Sequence, residues 1–162
     1  MAPDARPITK TRARFGRPRN VSAVARNFQV AFDCVDPDRL AEFWAAALDY
    51  ELLPPPSGHA SWAEYSSTVA KEPGEAWTKI VDPQGKGSPL LFHRVPEEKM
   101  VKNRLHLDLR APRSTPGDRR QQLDAEVDRL VELGGHKLHD VTDDAGYFVV
   151  MHDPEGNEFC IG

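Results

Sequence analysis

One short motif occurs twice in the chain, first at Asp82–Gly85 as Asp-Pro-Gln-Gly and again at Asp153–Gly156 as Asp-Pro-Glu-Gly. It is a turn sequence, because Asp caps the turn, Pro fixes φ and Gly accepts a positive φ. Upstream of both copies the same patterns follow in the same order: an alternating strand, a Pro-led helix and more strand-like sequence. An internal duplication is therefore predicted, and it restricts the chain to folds built from two copies of one unit.

The start of each unit has the clearest pattern. Phe28–Val35 and Leu105–Ala111 alternate apolar and polar residues, which is typical of half-buried strands. Helices are predicted at Pro37–Leu48, capped by Asp36, and at Pro116–Leu133. Further strands are predicted at Tyr50–Leu53, His59–Val69, Ala76–Val81, Pro89–Val95, His136–Val141, Tyr147–Met151 and Glu158–Ile161. The predicted fold class is α+β, with two βαβββ modules and helices on one face of mostly antiparallel sheets.

Charge divides the chain into a tail and a body. Residues 1–26 carry seven Lys/Arg and one acid, with few large apolar side chains, so they are predicted to be a disordered basic tail. The folded domain is predicted at 27–162, with modules 27–95 and 104–162 and a charged linker at 96–103.

The same composition excludes several kinds of function. The body holds 14 basic and 24 acidic residues, and this acidic balance argues against binding to nucleic acid. No run of 18 apolar residues is present, so no membrane span is predicted. Two cysteines, Cys34 and Cys160, make no disulfide framework, and a cytoplasmic location is expected.

Three segments together resemble the vicinal oxygen chelate superfamily of glyoxalases, extradiol dioxygenases and bleomycin- or fosfomycin-resistance proteins. They are Phe32–Leu48, Asn103–Leu109 and His152–Ile161, and within the superfamily they are most similar to glyoxalase-like domain proteins. The resemblance implies that the two modules form a cup with the helices outside. It also implies a small-molecule ligand in the cup and a homodimer.

The resemblance also supplies candidate metal ligands on the first and last strands of each module. It places Gln29 and His106 at the first-strand positions and Cys160 at a last-strand position that usually holds Glu. For the remaining position the register is open between Phe92 and His93, so the candidate set is Gln29, His93, His106 and Cys160. A softer divalent ion such as Zn, Ni or Fe could use these groups. The absence of the expected carboxylates makes the lack of any cofactor the favoured expectation.

His106 and Asp108 are the candidate catalytic pair. Residues two apart on a strand point to the same face, so an imidazole and a carboxylate would share one cavity and could exchange protons with a ligand. The alternative is a structural network in which Asp108 pairs with Arg104 or Arg110. Six further side chains are candidates for contacting the substrate: Gln29, Asp33, Trp62, Trp77, Phe92 and Glu158.

Two functions fit these residues. One is an enzyme of the lyase, isomerase or dioxygenase type that acts on a small oxygen-bearing substrate. The other is a protein without chemistry that sequesters a drug or metabolite. The His106 and Asp108 pair favours the enzyme, whereas the missing acidic ligands favour sequestration or a metal-independent enzyme. Both functions require a small molecule in the cup.

Overall fold

Two modules of the predicted type are present in the computed structural model of the chain. The predictions for the tail at 1–26 and for a helix start at Pro116 lie outside the part of the chain that the structure describes. No helix among the described residues is long and apolar enough to span a membrane. The structure describes residues 27–71, 74–111, 118–144 and 146–162.

Each module has one four-stranded sheet, which confirms the α+β fold with two modules. Module one contains β1 (Val30–Cys34), α1 (Pro37–Leu48), β2 (Glu51–Leu52), α2 (Trp62–Val69), β3 (Trp77–Val81) and β4 (Leu90–Arg94). Module two contains β5 (Asp108–Leu109), α3 (Arg119–Glu132), β6 (His136–Asp143), β7 (Gly146–His152) and β8 (Glu158–Ile161). The strand orders are β1-β4-β3-β2 and β5-β8-β7-β6. In both sheets the first strand pairs in parallel with the last, and the other pairs are antiparallel.

Helix α1 forms where the sequence predicts it. The Asp36 side chain accepts a hydrogen bond from the backbone N–H of Arg39, and Pro37 occupies the first turn. Asp49 ends the helix in the left-handed conformation. The apolar face, which includes Phe43 and Trp44, is buried against the sheet of module one and against module two.

The strand predicted at His59–Val69 is wrong, because helix α2 occupies most of this segment. Ser61 accepts a hydrogen bond from the N–H of Glu64, and the Glu64 carboxylate accepts one from the N–H of Ala60. This reciprocal capping box satisfies backbone donors that a helix start otherwise leaves unpaired, so it favours a helix despite the β-branched and aromatic residues that follow.

Two residues at the starts of the predicted strands are more exposed than expected. Phe28 is 67% exposed and Leu105 is 63% exposed, although alternation placed both on an apolar face. The regular strands begin later, at Val30 and Asp108, so both side chains precede the paired part of their sheet.

One core joins the two modules at Trp44. Its ring lies 5.5 Å from that of Phe32 in β1 and 5.2 Å from that of Phe159 in β8. Its indole Nε1–H donates a 3.1 Å hydrogen bond to Oδ2 of Asp153, which is 1% exposed. Because a buried carboxylate is costly unless its oxygens are hydrogen-bonded, this bond couples the two modules tightly.

The second Asp-Pro-x-Gly turn carries this coupling further. Asp153 also accepts hydrogen bonds from the N–H of Glu155 and from the backbone and side chain of Asn157. The Glu155 carboxylate in turn accepts bonds of 2.8 Å from Val35 N–H and 2.7 Å from Asp36 N–H, at the start of α1. One turn of module two therefore holds the β1–α1 junction of module one.

We predict that Asp153→Asn destabilises the protein by about 2–4 kcal/mol, because an amide presents N–H groups to donors that need a buried acceptor. The matched control is Asp82→Asn, in the other copy of the turn, where the carboxylate accepts only local backbone bonds from Gln84, Lys86 and Gly87. Urea denaturation measures both free energies of unfolding. Equal losses in the two variants would contradict the coupling of the modules through Asp153.

Candidate functional site

Three potential metal ligands meet on the open face of the module-two sheet. Asp108 in β5 is the strand partner of Cys160 in β8, and His106 lies two residues before Asp108. One ligand atom from each of the three residues lies within 4.8 Å of the others. The Nδ1 atom of His106 is 3.1 Å from Oδ1 of Asp108. The structure thus brings together the predicted catalytic pair and one predicted metal ligand.

The environment of Cys160 keeps its thiol protonated. Burial raises its pKa most, and the charge of the adjacent Asp108 carboxylate and a hydrogen bond to it raise the pKa further. Lys102 acts weakly in the opposite direction. The thiolate is the reactive form of cysteine, so Cys160 is a poor nucleophile here. A metal cation would reverse this preference, because thiolate ligands bind a metal with release of the proton.

The three ligands line a cavity of about 530 Å³ in module two. The other lining residues are Leu109, Arg110, Arg119, Tyr147, Phe148 and Gly162. None of them was predicted as a site residue. Arg110 could have been found, because it continues the alternation that places His106 and Asp108 on one face. Arg119 and Tyr147 had no sequence signal, since they reach the cavity through the packing of α3 and β7.

The strand register of module one shows that this site has no counterpart there. With Gln29 matched to His106, Ala31 matches Asp108, and the strand partner of Ala31 is Leu91. Leu91, rather than His93 or Phe92, therefore takes the place of Cys160. Module one offers an amide and two apolar side chains where module two offers His, Asp and Cys.

His93 lies two residues beyond Leu91 on β4 and belongs to a different group of side chains. Its Nε2 is 3.1 Å from Glu75 Oε1, and its Nδ1 is 3.6 Å from Asp33 Oδ1. Its ring stacks on Trp77 with a 5.4 Å centroid distance and an interplanar angle of 4°. The cavity beside it is lined by residues between Val35 and Glu98. His93, Asp33 and Trp77 thus lie together, but apart from His106.

Gln29 is separated from the ligand cluster in a similar way. It is exposed at the start of β1 and lines a groove formed by residues between Asn27 and Pro89. The predicted four-residue set of Gln29, His93, His106 and Cys160 does not assemble within this chain. The reason is that the ligand-bearing faces of the two modules border separate cavities.

Two predicted aromatic contacts are also displaced from a cup wall. Trp62 lies on α2 instead of a strand, and its Nε1–H donates a 2.6 Å hydrogen bond to the carbonyl of Leu53. Phe92 is fully buried and its ring lies 5.4 Å from that of Phe32, so it belongs to the core. Phe92 and His93 are neighbours on β4, and neighbouring strand residues point to opposite faces, so Phe92 faces the core and His93 faces the open side.

Glu158 anchors the linker between the modules. One carboxylate oxygen accepts a 3.0 Å hydrogen bond from the N–H of Asn103 and lies 3.1 Å from Lys99 Nζ. Burial by itself raises the pKa of Glu158, but backbone hydrogen bonds and the Lys99 ammonium outweigh it and lower the pKa to about 2. Both contacts use the same oxygen, Oε2, of the carboxylate that was predicted to meet a substrate.

The sequence profile of the glyoxalase-like domain family matches residues 29–162. No curated protein sequence is significantly similar to this chain.

Several solved structures share the fold at low sequence identity. The fosfomycin resistance protein FosX from Mesorhizobium loti is 11% identical, with a TM-score of 0.57 over 86% of this chain and 91% of that one. A FosX variant from Listeria monocytogenes, complexed with Mn(II) and 1S,2S-dihydroxypropylphosphonic acid, is 10% identical, with a TM-score of 0.57 over 86% and 90%. A glyoxalase/bleomycin resistance protein/dioxygenase family enzyme from Burkholderia phytofirmans PsJN is 15% identical, with a TM-score of 0.54 over 82% and 94%.

We predict that Glu158→Gln lowers stability at neutral pH and loses this effect in acid. A carboxylate with a depressed pKa stabilises the folded state above its unfolded pKa of about 4.5 and ceases to do so as the pH falls towards 2. The difference in unfolding free energy between wild type and variant, measured in urea, should therefore shrink from pH 6 to pH 3. A difference that stays constant over this range would contradict the role of Glu158 as an ionised anchor.

Proposed function

The chain belongs to the glyoxalase-like domain family, and on this premise we propose that it binds a small organic molecule beside a divalent cation in the module-two cavity. His106, Asp108 and Cys160 would hold the cation. The observation that carries the proposal is the convergence of three ligand atoms within 4.8 Å at the edge of a cavity of about 530 Å³.

The donor set fits zinc. Imidazole nitrogen, carboxylate oxygen and thiolate sulfur are its usual ligands, and catalytic zinc sites use three protein ligands with one position left for water or substrate. The Listeria protein is complexed with Mn(II), an ion that prefers oxygen ligands, whereas a thiolate at Cys160 favours a softer ion. Asp108 adds a carboxylate ligand, which the predicted set of Gln29, His93, His106 and Cys160 lacked. For this reason we propose a bound metal in place of the cofactor-free protein that was expected from the sequence.

The cation and the protein side chains have different roles in this proposal. A bound cation would supply Lewis acidity towards an oxygen of the ligand. The chain itself orients His106 through Asp108, and the Phe148 ring would cover a ligand on the face that carries Cys160. Such a site supports lyase or isomerase chemistry, whereas dioxygenase chemistry would require a redox-active ion such as iron in place of zinc. A reducing, cytoplasmic compartment suits it, because it requires a free thiol at Cys160.

A second candidate function is sequestration of a drug or metabolite without turnover. It is favoured by the side chains that module one places at the matching positions, since Gln29, Ala31 and Leu91 add no acid or base that could take part in turnover. Incubating the zinc-loaded protein with a panel of small oxygen-bearing substrates distinguishes the two functions. A substrate that binds without being consumed supports sequestration.

We also infer that two copies associate. The support for this is the resemblance to a superfamily whose members are often dimers. Light scattering should give twice the chain mass of 18.1 kDa. A mass of one chain at micromolar concentration would contradict the association.

We predict one zinc site per chain. Competitive titration of protein purified without a metal-affinity column should show that Asp108→Asn and Cys160→Ser each weaken zinc at least about 10-fold, since even indirect support of a ligand is worth 10- to 100-fold. The matched control is His93→Gln, a histidine on the corresponding face of module one. An equal loss in His93→Gln, or no zinc binding by the wild-type protein, would contradict the site.

A further inference from the structure

Positive charge is concentrated around the candidate metal ligands. Arg110 and Arg119 line the same cavity, and Asp108 is the one acidic side chain among the described lining residues. Lys102 is also close enough to act electrostatically on the Cys160 thiol. A cavity with this balance attracts a negatively charged group even before any cation is bound.

Arg110 is placed to contact a ligand. It follows Asp108 by two residues, is exposed and lines the cavity. It forms no ion pair with any residue in the described parts of the chain. A guanidinium presents five N–H donors in a planar arrangement that matches the oxygens of a carboxylate or phosphonate.

Arg119 is held beside the cavity by the backbone. Its Nη1 donates a 3.2 Å hydrogen bond to the carbonyl of Ala111, which follows Arg110 in the chain. This bond links the first residue of α3 to the end of β5. It reduces the freedom of the Arg119 side chain, so less entropy is lost when the guanidinium contacts a ligand.

Two aromatic residues of β7 border the cavity from opposite faces of the sheet. The Tyr147 hydroxyl donates to Oδ1 of Asp124 at 2.9 Å, and the guanidinium carbon of Arg120 lies 4.4 Å from the centre of the Tyr147 ring, so this ring is held on the helix side by α3. Phe148 is the next residue along the strand and points to the face that carries Cys160. Its ring therefore offers contact area on that face to an aromatic or aliphatic group.

We propose that the cavity takes a small organic anion with an aromatic or apolar body. Arg110, supported by Arg119, binds its carboxylate or phosphonate group. Phe148 packs against its body. This inference rests on the proposed function, because it names the ligand class of the same cavity, and it does not require the cation.

The test uses EDTA-treated full-length protein and three fluorinated probes: 4-fluorobenzoate, 4-fluorophenylphosphonate and the neutral 4-fluorobenzamide. Fluorine NMR titration should show that at least one anion binds about 10-fold or more tightly than the amide. Arg110→Gln should weaken that anion about 10-fold, as expected for hydrogen bonds to charged groups, and leave the amide unchanged. Arg104→Gln removes an exposed arginine outside the cavity and should change none of the three. Thermal melting verifies that both variants fold.

The proposal is overturned if none of the probes binds, if the amide binds as tightly as both anions, or if Arg110→Gln leaves anion binding unchanged. Zinc titration of the same samples separates this failure from failure of the proposed function. Normal zinc binding without Arg110-dependent anion binding removes only the ligand class. Arg110-dependent anion binding without zinc supports the ligand class and removes the metal from the proposed function.

Discussion

The buried hydrogen bond between Trp44 and Asp153 determines how the two halves of this protein fit together. A carboxyl group at 1% exposure is tolerated because four N–H groups donate to it: the indole of Trp44 in the other module, the backbone of Glu155, and the backbone and side chain of Asn157. The neighbouring Glu155 caps the start of α1. Since α1 packs on both its own sheet and β8, these contacts fix the two sheets relative to each other. The position of the open face of module two relative to module one is therefore fixed.

Duplication has left two modules with the same topology and different chemistry. The positions that carry His106, Asp108 and Cys160 in module two carry Gln29, Ala31 and Leu91 in module one. One unit has kept ligating groups, whereas the other contributes the Trp44 side of the core and an acidic open face. The asymmetry extends to the turns: Asp153 is buried between modules, whereas Asp82 satisfies only its own turn. Function in this chain is accordingly proposed for one module, with the other as its structural support.

Much of this was predictable from the sequence. The repeated turn and the alternating strands gave the two-module α+β fold, and the capping pattern at Asp36 gave the bounds of α1. The two-residue spacing placed His106 and Asp108 on one face. Strand register was not predictable, because the loop after Asp82 differs from that after Asp153 and pairing partners depend on loop length. For this reason His93 was predicted at a ligand position that Leu91 occupies in the structure. Phe92 was predicted to contact a substrate, but it faces the core. Trp62 was misplaced because the helix cap formed by Ser61 and Glu64 outweighs the strand propensity of the aromatic and β-branched residues in Trp62–Val69.

We propose a thiolate, from Cys160, as one of the metal ligands in module two. X-ray absorption spectroscopy of the zinc-loaded protein tests it most directly, because sulfur and nitrogen or oxygen scatterers differ in distance. One sulfur at about 2.3 Å, together with nitrogen or oxygen ligands at about 2.0–2.2 Å, is the result expected for His106, Asp108 and Cys160. A shell of nitrogen and oxygen alone would show that Cys160 is not a ligand and would contradict the account.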